Sequence, residues 1–321
     1  MNIPMVDSEN WYDLNQKVKA ILLEKNLCEA DDQIRIYDQV STAIYESVVG
    51  MAHFYSHKRK VAWVKGVHPF LKAVSPYFYK ETYEILELNH QQSFEEAVST
   101  INKDYALVFD CEDHLITGEI FPFSILQTKT DELKTINVRL SFNLFKFKDK
   151  ISSPFTVRIC VLSGNLAVVI CGSRFKAVPH IGETQRLDES KILKTIEVEL
   201  SNRRQFLSEI EEFESKLPQG YLPFFQVINK SRVYDRSVIY STELNADAVV
   251  KYLIASLSLQ SNQISTTSDC YWGSRDVMKN WQIPALTPVQ ERGLLVIDRS
   301  VLERPAELIK SLELAKAECQ I

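Results

Sequence analysis

Glycine is scarce: the chain has only 9 in 321 residues. None falls into G-x-G-x-x-G or G-x-x-x-x-G-K-[ST], so the glycine loops that close a backbone around phosphate in dinucleotide and P-loop proteins are missing. The six cysteines, Cys28, Cys111, Cys160, Cys171, Cys270 and Cys319, are scattered without a C-x-x-C pair. That spacing predicts no disulfide framework and a reducing, cytoplasmic setting. No apolar run approaches the roughly 20 residues that span a bilayer, so no membrane contact is expected. The opening MNIPMVDSENWYDL has no charged segment leading into an apolar core, and no secretion signal is read there. The basic run His57-Lys58-Arg59-Lys60 is short, and with a formal net charge of −5 it argues against a nucleic-acid partner. Internal repeats and low-complexity segments are absent too.

What is there is a globular composition, with 45% hydrophobic and 25% charged residues. The length suggests two domains, or one large and one small. Trp11, Leu14, Val18, Ile21 and Leu22 recur at helical spacing and predict a helix over 8–26. Ile34, Ile36, Tyr37, Val40, Ile44, Val48 and Met51 suggest a second over 31–55. From Lys60 the rhythm shortens. Strands are expected at Val61–Gly66, Tyr83–Leu88 and Tyr105–Asp110. Between them lie helical stretches at Pro69–Glu81, broken at Pro76, and Ser93–Ile101. Such alternation predicts an α/β fold with a mainly parallel sheet covered by helices. A short helix near Phe123–Thr128 and a strand at Ile136–Phe142 follow. Phe155–Leu162 and Leu166–Cys171 read as a hairpin about Ser163-Gly164-Asn165. Asp188–Lys216 reads as one long helix. The last third reads as a smaller α+β unit with strands at Phe224–Ile228, Ser237–Tyr240 and Leu294–Asp298 and helices at Asn245–Leu257 and Arg304–Ala317. Residues 261–287 fit no element. The expected organisation is a helical segment over 1–57, a large α/β domain over 58–187, a linking helix over 188–217 and a small α+β domain over 218–321.

The stretch Asn165–Pro179 carries the strongest chemical signal. An apolar run ends in Gly172-Ser173 and presents a single lysine, Lys176, before Pro179. A lysine held at a sheet edge can be partly desolvated, its pKa lowered, and its amine made nucleophilic toward a carbonyl. A strand-end lysine with its head in water is the plain structural alternative. His53 and His57 share a helical face but lack the glutamate of H-E-x-x-H and a third ligand, so no metal is expected. Cys111 and His114 start on opposite faces of an extended chain, which weakens a thiol–imidazole pair.

In layout, two N-terminal helices, an α/β unit, a late lysine turn, a long helix and a small α+β domain, the chain resembles the fold-type-I pyridoxal-phosphate-dependent aminotransferase family. Gly172-Ser173-Arg174-Phe175-Lys176 is similar to the family's Ser-x-x-Lys box. His114, Thr117 and Gly118, after the strand YALVFD, match the loop H-N-P-T-G in type and spacing. Lys65-Gly66-Val67-His68 stands where the family has a glycine turn opening a phosphate-binding helix. The resemblance implies pyridoxal phosphate as cofactor, Lys176 as its Schiff-base lysine and general acid/base, and a homodimer. It also implies Gly66, His68 and Arg186 on the phosphate, His114, Thr117 and Ser173 around the cofactor, and Arg292 or Arg299 on the carboxylate of an amino acid substrate. Two departures go with it. The family's asparagine falls at Leu115, and its ring-nitrogen aspartate would lie in Ile136–Phe142, which offers Arg139 and Ser141 but no carboxylate. Two functions therefore stand: Schiff-base chemistry at Lys176, or an aminotransferase-like binding or partner module that has lost it.

Overall fold

The computed structural model describes the backbone of residues 8–54, 58, 60–64, 84–88, 94–111, 123–141, 153–162, 166–175, 188–201, 203–224, 226, 236–241, 243–259, 263–266 and 293–319. These form two compact units, one from the residues up to Cys111 together with Phe123–Ser201, the other from Arg203 onward.

The first helix, α1 (Ser8–Glu24), fulfils its periodicity. It ends where Asn26 takes a left-handed φ of 58° and the Leu27 N–H reaches back to the Leu22 carbonyl at 2.8 Å. Asparagine tolerates that conformation, and the long backward bond satisfies a carbonyl the helix leaves open. The stretch 31–55 is not one helix. It divides into β1 (Gln33–Tyr37) and α2 (Val40–Phe54). Ile34 and Ile36 stand two apart, a strand period, but β1 is buried along nearly its whole length. A strand covered on both faces shows no polar alternation to separate it from a buried helix.

The large sheet is completed by β2 (Lys60–Val64), β3 (Glu84–Leu88), β4 (Tyr105–Cys111), β5 (Ile136–Ser141), β6 (Thr156–Val161) and β7 (Ala167–Cys171). Its seven strands lie in the order β1-β7-β6-β5-β4-β2-β3. Only β7 is reversed: it pairs antiparallel with both β1 and β6, and every other pairing is parallel. Connections α3 (Phe94–Ser99) and α4 (Phe123–Leu133) precede β4 and β5. The latter runs five residues beyond the expected Thr128 before Lys134 turns left-handed at φ 51°.

Both faces of the sheet are covered, as successive strand residues show. Val157 and Ile159 of β6 and Val169 of β7 join the core built with Val40, Ala43, Ile44 and Val48 of α2. Cys160, Val168 and Ile170 join instead a second core, with Leu14, Val18 and Leu22 of α1 and Ile192 and Ile196 of α5 (Glu189–Ser201). Each such aliphatic side chain contributes about 1.5–3 kcal/mol when fully withdrawn from water.

The stretch expected as one long helix, Asp188–Lys216, is helical over α5 and over α6 (Arg203–Ser215), with residue 202 outside the described residues, and the division between the compact units falls there. The second unit has a fully antiparallel sheet in the order β10-β11-β9-β8, made of β8 (Tyr221–Pro223), β9 (Arg236–Ser241), β10 (Ile264–Thr266) and β11 (Leu294–Asp298). The strand expected from Phe224 lies upstream, directly after Gly220, whose φ of 96° suits a residue without Cβ. Helix α7 (Ala246–Leu257) is capped by Asn245, whose side chain accepts from the Asp247 N–H at 2.9 Å. It packs on α9 (Pro305–Glu318), which follows the short α8 (Arg299–Leu302). Their apolar stripes, Val249, Val250 and Leu253 with Leu308, Leu312 and Ala315, form a core of their own.

Gly172 has a steric role. A Cβ there would stand 2.3 Å from the Ser153 carbonyl oxygen and 2.8 Å from the Pro154 carbonyl carbon, both backbone atoms. Gly172→Ala is expected to destabilise the first unit by about 1–3 kcal/mol, the usual cost of overpacking, measured as a lowered urea midpoint.

Candidate functional site

In open α/β sheets ligands bind beyond the carboxyl ends of the parallel strands. Here that edge is set by the ends of β4 at Cys111, β5 at Ser141 and β6 at Val161. Gly66 and His68 follow β2 in sequence, and His114 and Thr117 follow β4. These four, with Lys176, Arg186, Arg292 and His57, lie outside the described residues. Arg299 opens α8 in the second unit, and His53 lies in α2; only their backbones are described.

Ser173 is described, and the reversal of β7 decides where it stands. The last residue of β7, Cys171, is in register with Val157 near the start of β6. The Gly172 N–H then donates to the Thr156 carbonyl at 2.9 Å, and the Arg174 N–H to the Pro154 carbonyl at 3.3 Å. Phe175, fully buried, turns its N–H back to the Gly172 carbonyl at 3.0 Å. The turn Ser173–Phe175 is therefore tied to the segment that leads into β6, at the amino edge of the parallel strands. Thr156 is in register with Asn137, and Asn137 with Val108, so Gly172 is level with a residue three before the end of β4. With about 3.3 Å per residue along a strand and ~4.8 Å between strands, Gly172 and Cys111 are roughly 17 Å apart. The resemblance groups Ser173 with His114 and Thr117 around one ligand. Ser173 stands toward the amino edge, about that distance from Cys111 at the carboxyl end of β4, while His114 and Thr117 lie outside the described residues.

The middle of the sheet holds charges that the strand patterns did not lead one to expect. Asp110 and Arg139 are register partners on β4 and β5, exposed by 1% and 0%. Arg139 Nε donates to both Asp110 oxygens at 3.1 and 3.2 Å, and Nη2 to Oδ2 at 3.0 Å. Burial pushes the Asp110 carboxyl above its ordinary range, against the pull of the Arg139 guanidinium and a hydrogen bond from Asn137. Arg158, buried on β6, is the register partner of Arg139, so the three charged positions stand abreast on one face. The signal for them was a charge inside the apolar runs INVRLS and TVRICV.

The fit to pyridoxal phosphate can be tested against these residues. A ring nitrogen kept protonated needs a carboxylate free to face it. The carboxylate at this level of the sheet is Asp110, and both its oxygens are engaged by Arg139. The described residues of β4 and β5 therefore do not suit that group.

Among the described residues Cys28, Cys160 and Cys171 are buried thiols outside any disulfide. Burial pushes the Cys171 thiol up to about 11, with Arg35 opposing the shift.

No family model matches the chain, and no curated protein matches its sequence. Solved structures do match. The NifS-like protein from Rickettsia africae superposes with a TM-score of 0.65 at 11% identity, covering 97% of this chain and 89% of that one. L-threonine-O-3-phosphate decarboxylase from Porphyromonas gingivalis gives 0.58 at 11%, over 97% and 94%. A putative O-acetylhomoserine (thiol)-lyase from Campylobacter jejuni, solved with N′-pyridoxyl-lysine-5′-monophosphate, gives 0.62 at 11%, over 94% and 85%. The chain has the fold of the fold-type-I pyridoxal-phosphate-dependent enzymes. At this identity the likeness extends to the fold and no further.

Arg139→Leu should cost about 3–5 kcal/mol in denaturant unfolding, since it strands a buried carboxylate, whereas the double variant Asp110→Leu/Arg139→Leu should recover most of the loss. The Cys171 shift has a defined pH window. A thiol raised in the folded state adds stability that is complete below its unfolded value, near 8.5, and is lost as pH rises toward about 11. Folded protein at pH 8 is thus expected to resist iodoacetamide at Cys171 and to label there after denaturation, read by peptide mass spectrometry.

Proposed function

We propose that this chain is a catalytically inactive aminotransferase-like binding or partner module, a fold-type-I scaffold without Schiff-base chemistry at Lys176. The observation that carries the proposal is the direction of β7. Lys176 follows Phe175 directly, and consecutive Cα atoms are about 3.8 Å apart. Phe175, the last described residue before the lysine, is tied to Gly172 on the amino edge of the sheet, away from the carboxyl ends of β4, β5 and β6. The five residues that join the carboxyl end of β6 to the start of β7, Leu162-Ser163-Gly164-Asn165-Leu166, include no lysine. The commitment of Asp110 to Arg139 supports the same reading.

The fold alone favours the other reading, an active pyridoxal-phosphate transferase acting on an amino acid, because its structural neighbours include a histidinol-phosphate aminotransferase and a lyase solved with a pyridoxyl-lysine group. There Lys176 would need Gly66, His68 and Arg186 on the phosphate, His114, Thr117 and Ser173 about the cofactor, and Arg292 or Arg299 on the substrate carboxylate. Either form would work in the cytoplasm as a homodimer, which the resemblance alone supports.

The deciding experiment is incubation with pyridoxal phosphate, borohydride reduction and peptide mapping of the parent and of Lys176→Ala. The proposal expects no stoichiometric pyridoxyl adduct at Lys176 and the same visible spectrum from both proteins. A single stoichiometric adduct at Lys176, missing from the variant, would establish the enzyme reading instead.

A further inference from the structure

Asn137 on β5 and Thr156 on β6 are register partners, so their side chains rise side by side from one face of the sheet. They are exposed by 0% and 4%. Asn137 Nδ2 donates to the Val108 carbonyl at 3.4 Å, and Asn137 also hydrogen-bonds Asp110. The amide orientation is thereby fixed, and Asn137 Oδ1 is left as a buried acceptor with no hydrogen-bond partner. Thr156 Oγ1, beside it, has none either. Leaving one such group buried and unmade costs about 1–3 kcal/mol. The two oxygens stand at one register position on adjacent strands, so a single small ligand between them can satisfy both.

We infer that Asn137 and Thr156 together form an internal binding site for an ordered water molecule, held between β5 and β6. The chemistry of the two groups selects the ligand class. Asn137 Oδ1 can only accept, so the ligand must donate. The Thr156 hydroxyl can donate or accept, so a ligand with both capacities satisfies both oxygens. Two residues further along the same face stand Arg139 and Arg158, which oppose a cation. An anion would face the lone pairs of Asn137 Oδ1 and the nearby Asp110 carboxylate. A small neutral donor–acceptor is what remains, and water making about three hydrogen bonds is the usual occupant of such a place. The site steadies Asn137, which in turn holds Asp110 against Arg139. It stands independently of any cofactor.

The test uses Thr156→Val, which keeps the shape and removes the hydroxyl, with Thr156→Ser as the variant that retains it. Long-lived internal waters are counted by magnetic relaxation dispersion, and stability is read from thermal unfolding. The inference expects the parent and Thr156→Ser to hold the same number of long-lived waters. It expects Thr156→Val to hold one fewer and to melt about 2–4 °C lower. If Thr156→Val keeps the water count and melts higher, the hydroxyl was a dry orphan whose removal relieves the core, and the inference fails. A crystal structure with Thr156 Oγ1 bonded directly to Asn137 Oδ1 would overturn it as well.

Discussion

The antiparallel pairing of β7 between β6 and β1 is the constraint on which the first unit depends. A single reversed strand in an otherwise parallel sheet sends its two ends to the wrong sides. Its amino end meets the carboxyl ends of its neighbours, and its carboxyl end meets their starts. The described residues that follow β7, Gly172–Phe175, are thereby delivered to the amino edge. Gly172 fixes the exit, because only a residue without Cβ lets the chain pass within contact of Ser153 and Pro154. The carboxyl ends of β4 and β7 thus point to opposite edges of the sheet.

The Asp110–Arg139 pair shows a second economy. Two ions withdrawn from water cost several kcal/mol each, and their attraction offsets this only when geometry and additional hydrogen bonds are good. Here a two-pronged contact, a register match and Asn137 supply both. A slip of one residue between β4 and β5 would turn Arg139 to the opposite face, among Val138 and Leu140 in the main apolar core. The ion pair therefore penalises misregister more sharply than an apolar pair would, which matters in parallel strands whose Val- and Leu-rich sequences define register poorly.

Much of the fold was legible from the sequence. Elements such as α1, β4, β9, β11 and α7 lie where helical spacing or a short apolar run put them. The hairpin of β6 and β7 was legible as well. Two strands were not: β1, contiguous with the apolar stripe of α2, was absorbed into a helix, and the very short β8 was expected downstream of its place. At the candidate site the local motif Ser173–Lys176 was readable, but its meaning depended on which way its strand ran. The hairpin already held that information, since a strand antiparallel to β6 in a parallel sheet must exit at the amino edge. The buried charges were readable only as anomalies, an arginine in the middle of each of two apolar runs. What they pair with is a property of the assembled sheet.

The partner of β1 has a consequence for how the chain is made. Gln33 pairs with Cys171, so β1 leaves the ribosome long before the strand that receives it. At about 5–20 residues per second, the interval is between roughly 7 and 28 s. For that time the nascent chain carries an apolar strand with unmet backbone hydrogen bonds. Asp31, Asp32, Gln33 and Arg35 place charge and polarity at and beside that strand, the kind of residue that discourages an unpaired edge from joining another chain. The strand that completes one border of the sheet is thus among the first synthesised and the last to be paired, and its flanking charges guard it through the wait.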